Sequence, residues 1–397
     1  MFKTTWSRYI FWMLGSAAFF IASCGVINFS VDPLGIFGAP KFVGFNAVKP
    51  YLDHHRELSR WQAAKRVCGR AGIFGNSRSE IGFDPLHPAF LALGQVAFNH
   101  AIPGTGVDTA LRQLHWLQAA RCAPVTVVLG VEFFDFLGGW PAAALSKPDA
   151  APTITAPVVA ETVFSLTALR DAIGTVVIQH TRDAATTTPQ GFNPVLNYTA
   201  EVARSGHDIL FRQRAVENMK RWLKKPKRLR TEAGAASADQ LALEEFLGSA
   251  AASASTVHLV IYPYHAQIRL MMERAGLGGL FADWKASIVQ TAKRLSTDKM
   301  VIRVWDFSAI SAQTLEAVPV AGDRQTKMQY YWEAGHFKKA LGDRMLQQIL
   351  VGSEGFGELL APEMLDDWLA EDRRRVNALV QQPSPLLAGV DSLLSRH

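Results

Sequence analysis

The chain has 397 residues, 49% of them hydrophobic, enough to bury a full core; the length allows one large α/β domain with insertions or two smaller ones, and one domain is preferred. Its formal net charge of +6 has a local origin. Lys220, Arg221, Lys224, Lys225, Lys227, Arg228 and Arg230 share one short stretch, and without those seven, 34 basic residues face 35 acidic ones. This excludes a fold that is basic throughout.

From Tyr9 to Phe29 no residue is charged, and these 21 mostly apolar residues suffice for a helix to cross a hydrocarbon core of about 30 Å. Lys3 and Arg8 precede the run. Basic flanks stay cytoplasmic, so the expectation is a single-pass cell-membrane anchor over residues 1–30 with the rest extracytoplasmic, or periplasmic. The competing reading is a processed lipoprotein, because Ile21-Ala22-Ser23-Cys24 has the form of a lipobox with Cys24 lipidated; the apolar run continues past it through Val26, Ile27 and Phe29. Val31-Asp32-Pro33-Leu34-Gly35 is turn chemistry that releases the chain from the membrane surface. Asp53–Arg66 reads as a helix with Leu58, Trp61 and Ala64 on one face. Adjacent helical residues point about 100° apart, so His54 and His55 are read as solvent-facing and no metal is expected.

Ala71-Gly72-Ile73-Phe74 is a short apolar strand closed by Gly75-Asn76-Ser77-Arg78-Ser79. A glycine-led turn at the carboxyl edge of a sheet can hold a small nucleophile, and Ser77 is the candidate. Gln95–Asn99 reads as a second strand running into His100–Gly106, then a helix over Val107–Ala120. A third strand, Val125–Gly130, leads to Glu132. Residues 138–205 lack a strong period and are read as an insertion over the carboxyl edge, with His180, Arg182, Asn193 and Asn197 available to a substrate. A second insertion, 219–256, carries the basic run, for which anionic lipid headgroups or an acidic glycan fit better than nucleic acid.

Thr256–Tyr262 is a buried strand that brings Tyr264 and His265 to the same rim, Tyr264 as a substrate contact and His265 as a substrate contact or a rival base. Met300–Phe307 is the last strand and ends in Asp306. Glu333-Ala334-Gly335-His336-Phe337 supplies the preferred partner for Ser77: an acid three residues before a histidine can turn back to Nδ1, which leaves Nε2 to accept the serine proton. Asp306 is the reserve acid. Tyr330, Tyr331 and Trp332 are read as site-wall packing, with stacking on a sugar ring the alternative; a helix follows over Phe337–Leu350, and 356–397 is a helical extension.

The Ser77 turn and the Glu333–His336 block resemble the first and last blocks of the SGNH/GDSL hydrolase superfamily, with Asn76 and Glu333 where that superfamily usually has aspartate. With its anchor, the chain looks most like the membrane-anchored extracytoplasmic branch that includes DltD-like and alginate-acetylation (AlgJ/AlgX-like) proteins. The resemblance implies a three-layer flavodoxin-like sandwich with a five-stranded parallel sheet over residues 31–355. It implies catalytic Ser77, His336 and Glu333, and an oxyanion hole from the backbone of Ser77 and Gly104. Glu132 stands where the family has an asparagine donor, so the amides of Asn76 and Asn99 are the substitutes, and Arg78 joins Glu132, Tyr264 and His265 as substrate-binding candidates. In flavodoxin-like order the first and third strands are neighbours, which places Cys68 and Cys122 at one bottom edge and predicts a disulfide between them.

The function expected is O-acetyl transfer to, or removal from, a cell-envelope or secreted polysaccharide, without a cofactor and with a membrane-bound acyltransferase as a candidate partner. The alternative is a non-catalytic glycan-binding or scaffold component on the same fold.

Overall fold

The computed structural model describes residues 2–137, 149–181, 184, 186–223, 227–230 and 234–394. A mostly parallel sheet carries the fold, built from β1 (Ala71–Phe74), β2 (Ala97–Asn99), β3 (Thr126–Val131), β4 (Thr256–Ile261) and β5 (Val301–Asp306). A small ribbon of β6 (Tyr331–Glu333) and β7 (His336–Phe337) stands apart from it, and β8 (Glu358–Leu360) joins its edge. The sheet order is β2-β1-β3-β4-β5-β8, with every neighbour parallel except β8, which runs antiparallel to β5. All residues of β1 and β3 are buried, as expected of parallel strands with helices on both faces.

The sheet therefore has six strands and mixed direction, where five parallel strands were expected. The sixth is only three residues long and half-exposed, too short for its alternation to stand out in sequence. Its stretch, described as far as residue 394, also packs inward. Lys285 Nζ lies 2.7 Å from Asp306 and 2.8 Å from Asp372, and Arg269 lies 3.1 Å from Asp372, all four buried. Asp306 accepts further bonds from Ser308 and from Trp368 Nε1, at 3.0 Å, and so does not serve as the reserve acid for His336.

Cys68 and Cys122 form a disulfide with their Cα atoms 5.0 Å apart. The register explains the meeting. Ala71 pairs with Thr126, so the residues three and four positions ahead of these two arrive at the same sheet edge. Closing a loop with sequence separation 54 stabilises by about 4 kcal/mol in the chain-entropy account. Accordingly, the paired substitution Cys68→Ser/Cys122→Ser is expected to lower the unfolding free energy by about 2–4 kcal/mol, read by denaturant titration, with the natural protein matching it only after reduction.

The N-terminal helix runs unbroken over Phe2–Val31, and its Trp6–Val31 segment is long and apolar enough to cross a membrane. Residues 6–22 are exposed throughout, whereas Cys24, Gly25 and Asn28 are buried. They are covered by the helices Ala156–Val163 and Leu166–Val177, to which Asn28 Nδ2 donates at the carbonyls of Val163 (2.7 Å) and Ser165 (3.3 Å). Gly25 is required there, since a Cβ would stand 2.7 Å from the Phe164 ring. Cys24 is 3% exposed within this packing.

The 138–205 stretch is thus no aperiodic flap over the sheet rim: its described part holds three helices, two of which grip the N-terminal helix. His54 and His55 serve the same grip and do not simply face solvent. His54 Nδ1 lies 2.7 Å from Asp171 and His55 Nε2 3.2 Å from Glu161. Asn193 bonds Glu80, and Arg182 lies outside the described residues.

Candidate active site

Ser77 is the first residue of a short helix, Ser77–Gly82, that leaves the carboxyl end of β1 through Gly75. Gly75 has φ +134°, and a Cβ there would stand 2.4 Å from Tyr262 Oη and 2.7 Å from Ser79 Oγ, so no other residue allows this turn. Asn76 caps the helix by accepting from Arg78 N at 3.1 Å. The Ser77 N–H, at the first helical position, has no acceptor within the helix.

His336 arrives from β7, about 260 residues later. Its position is set by Phe337, whose ring lies against Gly82: a Cβ on Gly82 would fall 2.0 Å from that ring. Gly342, in the helix Lys339–Val351 that follows, meets the Gly82 carbonyl so closely that a Cβ would fall 1.8 Å from it. Two glycines thus let the helices before and after the site touch backbone to backbone, and Ser77 Oγ lies 2.8 Å from His336 Nε2.

Glu333 hydrogen-bonds His336 Nδ1 through Oε1 and accepts Gly335 N through Oε2 at 2.8 Å. It is 2% exposed. Burial alone would raise its pKa, but the charge and hydrogen bond of His336 and the Gly335 N–H outweigh burial and hold the carboxyl down to about 2. The acid is therefore ionised wherever the protein is folded and able to hold the imidazole with its proton on Nδ1.

Arg78 ties the three segments of the site together. Its Nε donates to the Gly335 carbonyl at 2.6 Å and its Nη1 to Glu132, and its guanidinium lies over the rings of Tyr262 and Tyr264 at 5.7 and 5.5 Å. Glu132 also accepts from Tyr264 Oη at 2.5 Å. The carboxylate that stands where an amide donor was expected is therefore neutralised, and offers no bare charge to repel an oxyanion.

Several expected roles are not those the structure assigns. Asn99 is wholly buried and spends its amide on the carbonyls of Ser79 (2.8 Å) and Phe83 (2.9 Å), so it is no oxyanion donor. Tyr264 is wholly buried and cannot reach a substrate. His265 caps the helix Ala266–Arg274 through Nδ1 and meets the Glu316 carbonyl with Nε2 at 2.8 Å, so both nitrogens are occupied by backbone and it is neither substrate contact nor base. Arg78 and Glu132 line the cleft but satisfy each other. Asn76 and Gly104 do line it beside Ser77, Gly104 with φ +75°.

The cleft, about 680 Å³, is closed on its far side by residues that the sequence did not assign to the site. Arg214, Glu217, Asn218, Arg221 and Trp222 come from the helix His207–Leu223, and Lys227 from just beyond it. Trp222 holds that helix in place by stacking on Phe134, centroids 4.2 Å apart. The basic run had singled out Arg221 and Lys227 by charge, but not their direction. Asp135, which also lines the cleft, is pushed up to about 7 by burial and then by Asp239, against the pull of Arg78 and Arg221. Near neutral pH it can offer an O–H donor.

No family model matches the chain, and none of the curated proteins matches it.

Proposed function

We propose that the chain is a membrane-tethered, extracytoplasmic serine-dependent acyl-group enzyme of SGNH type, transferring or removing O-acetyl groups on a polysaccharide. One observation carries the reading. A serine hydroxyl, an imidazole and a buried carboxylate stand in hydrogen-bonded series at the carboxyl end of a parallel sheet. The strand order β2-β1-β3-β4-β5 is also that of flavodoxin-like doubly wound folds, whose ligands sit outside the carboxyl ends of the strands.

In the reaction, Ser77 Oγ attacks the acyl carbonyl as its proton passes to His336 Nε2. The backbone N–H of Ser77, with Gly104 and Asn76 on the same wall, supports the oxyanion. His336 then returns the proton to the departing alcohol, and an acyl-serine remains. A sugar hydroxyl or a water, deprotonated in turn by His336, attacks that ester and frees Ser77. The cleft has the size and polar lining for a sugar acceptor, and the N-terminal helix suits an enzyme working at the cell envelope.

The second reading, a scaffold that binds glycan without chemistry, draws on Asn99 and Glu132. Neither supplies the side-chain amide such hydrolases place at the oxyanion. A fluorophosphonate probe separates the two, because only an activated serine reacts. The full chain in detergent is expected to be labelled on Ser77, identified by peptide mass spectrometry, and labelling is expected to fall at least about a hundredfold in His336→Ala. An unlabelled natural protein that still binds polysaccharide would establish the scaffold.

A further inference from the structure

A second cavity, of about 260 Å³, opens where the chain leaves the N-terminal helix and shares no lining residue with the Ser77 cleft. Its wall carries Lys41, Lys49, Arg56, Arg60 and Arg66, against the carboxylates of Asp32 and Asp53. Two of the five cations are already matched: Arg60 pairs with Glu80, and Arg56 with Asp53 at 2.9 Å. Asp32 is held by neutral donors, its two oxygens accepting the backbone N–H groups of Ile36, Phe37, Gly38 and Ala39, and it keeps its single negative charge opposite the other three cations.

That leaves Lys49 on the floor, 3% exposed, and Lys41 and Arg66 at the mouth. None of the three forms an ion pair among the described residues. Lys49 Nζ donates to the carbonyls of Val31 (2.9 Å) and Asp32 (2.6 Å), and Arg66 Nη2 to Gly35 at 2.9 Å. Burial, opposed by Asp32 and reinforced by Lys41 and Arg66, pushes Lys49 down to about 8. Three cations that repel one another face one carboxylate, Asp32, across this cavity, and the positive charge left over makes a site that an anion completes.

The surroundings indicate where the anion comes from. Phe42 and Val43, next to Lys41, are 60% and 98% exposed, and Val177 is 73% exposed. These belong to one surface. The Phe42–Val48 loop wraps the end of the N-terminal helix through Asn46, whose Nδ2 reaches the carbonyls of Ser30 and Val31. It is pinned to the turn after Val177 by Gln179, which exchanges bonds of 3.0 and 2.8 Å with the Val48 backbone. An apolar rim continuous with a membrane-crossing helix, beside a cationic cavity, is the order of layers met at a lipid interface, acyl chains first and phosphates next.

We infer that this cavity binds the phosphate of an anionic phospholipid headgroup, with Lys49 below it and Lys41 and Arg66 at its sides, and so seats the protein body on the membrane. This goes beyond the acyl-transfer reading and does not depend on Ser77.

The test uses the full chain in nonionic detergent, with lipid retention followed by native mass spectrometry during titration with phosphatidylglycerol or phosphatidylcholine. Phosphatidylglycerol is expected to bind more tightly. The double variant Lys41→Ala/Arg66→Ala should weaken it roughly 30-fold, from two headgroup charges removed, while phosphatidylcholine binding stays unchanged. Lys299→Ala, which removes an exposed charge elsewhere, should leave both unchanged. If the double variant fails to fold, Lys41→Glu, at the exposed mouth, carries the same prediction. An equal phosphatidylglycerol preference in natural and variant proteins overturns the site. A thermal shift with inorganic phosphate that the variant abolishes, together with equal binding of the two lipids, overturns the lipid assignment in favour of a free anion.

Discussion

Replacing Ser77 with alanine is expected to cut acetyl-ester turnover by the full chain by roughly 10⁴–10⁶-fold, about 5–8 kcal/mol of transition-state stabilisation, with folding intact. The size follows from what the variant removes. Without Oγ no acyl-enzyme forms, and His336 has nothing to deprotonate but water. The structural cost is small because Ser77 is only partly buried and its hydroxyl makes one bond, to His336, while the turn is held by Gly75, Asn76 and Tyr262. The residual rate should therefore come with an unchanged thermal midpoint. The measurement is kcat on a chromogenic acetyl ester and on an acetylated polysaccharide. A variant within tenfold of the natural enzyme would remove Ser77 from the mechanism.

Why the Ser77 and His336 blocks could be paired from sequence, when much of the wall around them could not, has a physical basis. A nucleophile turn and an acid-x-x-His block are local devices. Gly75 and Ser77 sit two residues apart, Glu333 and His336 three, and each block builds its own geometry from short-range bonds. The strands that carry them are likewise legible, because burial on both faces demands apolar runs.

The role of Asn99 was illegible for the opposite reason. Whether an amide faces an oxyanion or the carbonyls of Ser79 and Phe83 depends on a neighbouring helix, not on its own segment. Glu132 was misleading in the same way, since its charge matters only with Arg78, 54 positions away, left out of the count. The helix His207–Leu223 showed its basic face, but only the stack of Trp222 on Phe134 decides that this face closes the cleft. The Gly82–Gly342 contact, which brings His336 to Ser77, had no sequence signal beyond two glycines inside helices.

Glu333→Gln is expected to be the most damaging near-isosteric change, lowering kcat roughly 10³–10⁴-fold with little effect on KM. The reason lies in the second oxygen. Oε2 accepts the Gly335 N–H, and a glutamine must keep its carbonyl oxygen there, because turning its NH₂ toward Gly335 would set donor against donor. The NH₂ then faces His336 Nδ1, which can only accept. That puts the imidazole proton on Nε2, pointing at Ser77, in the tautomer that cannot take the serine proton.

Glu333→Ala removes the carboxylate without imposing that tautomer and should retain more activity than Glu333→Gln, the reverse of what size alone predicts. Ring-nitrogen shifts of His336 by NMR would show Nδ1 unprotonated in the glutamine variant, and a glutamine variant more active than the alanine one would exclude the orienting role. The acid limb of stability gives an independent reading. A carboxyl lowered from its ordinary value near 4.5 to about 2 stabilises the fold above pH 4.5 and loses that contribution as pH falls toward 2, an amount of about 3 kcal/mol. The glutamine variant lacks this titration, so its stability should fall less steeply than that of the natural protein between pH 4.5 and 2.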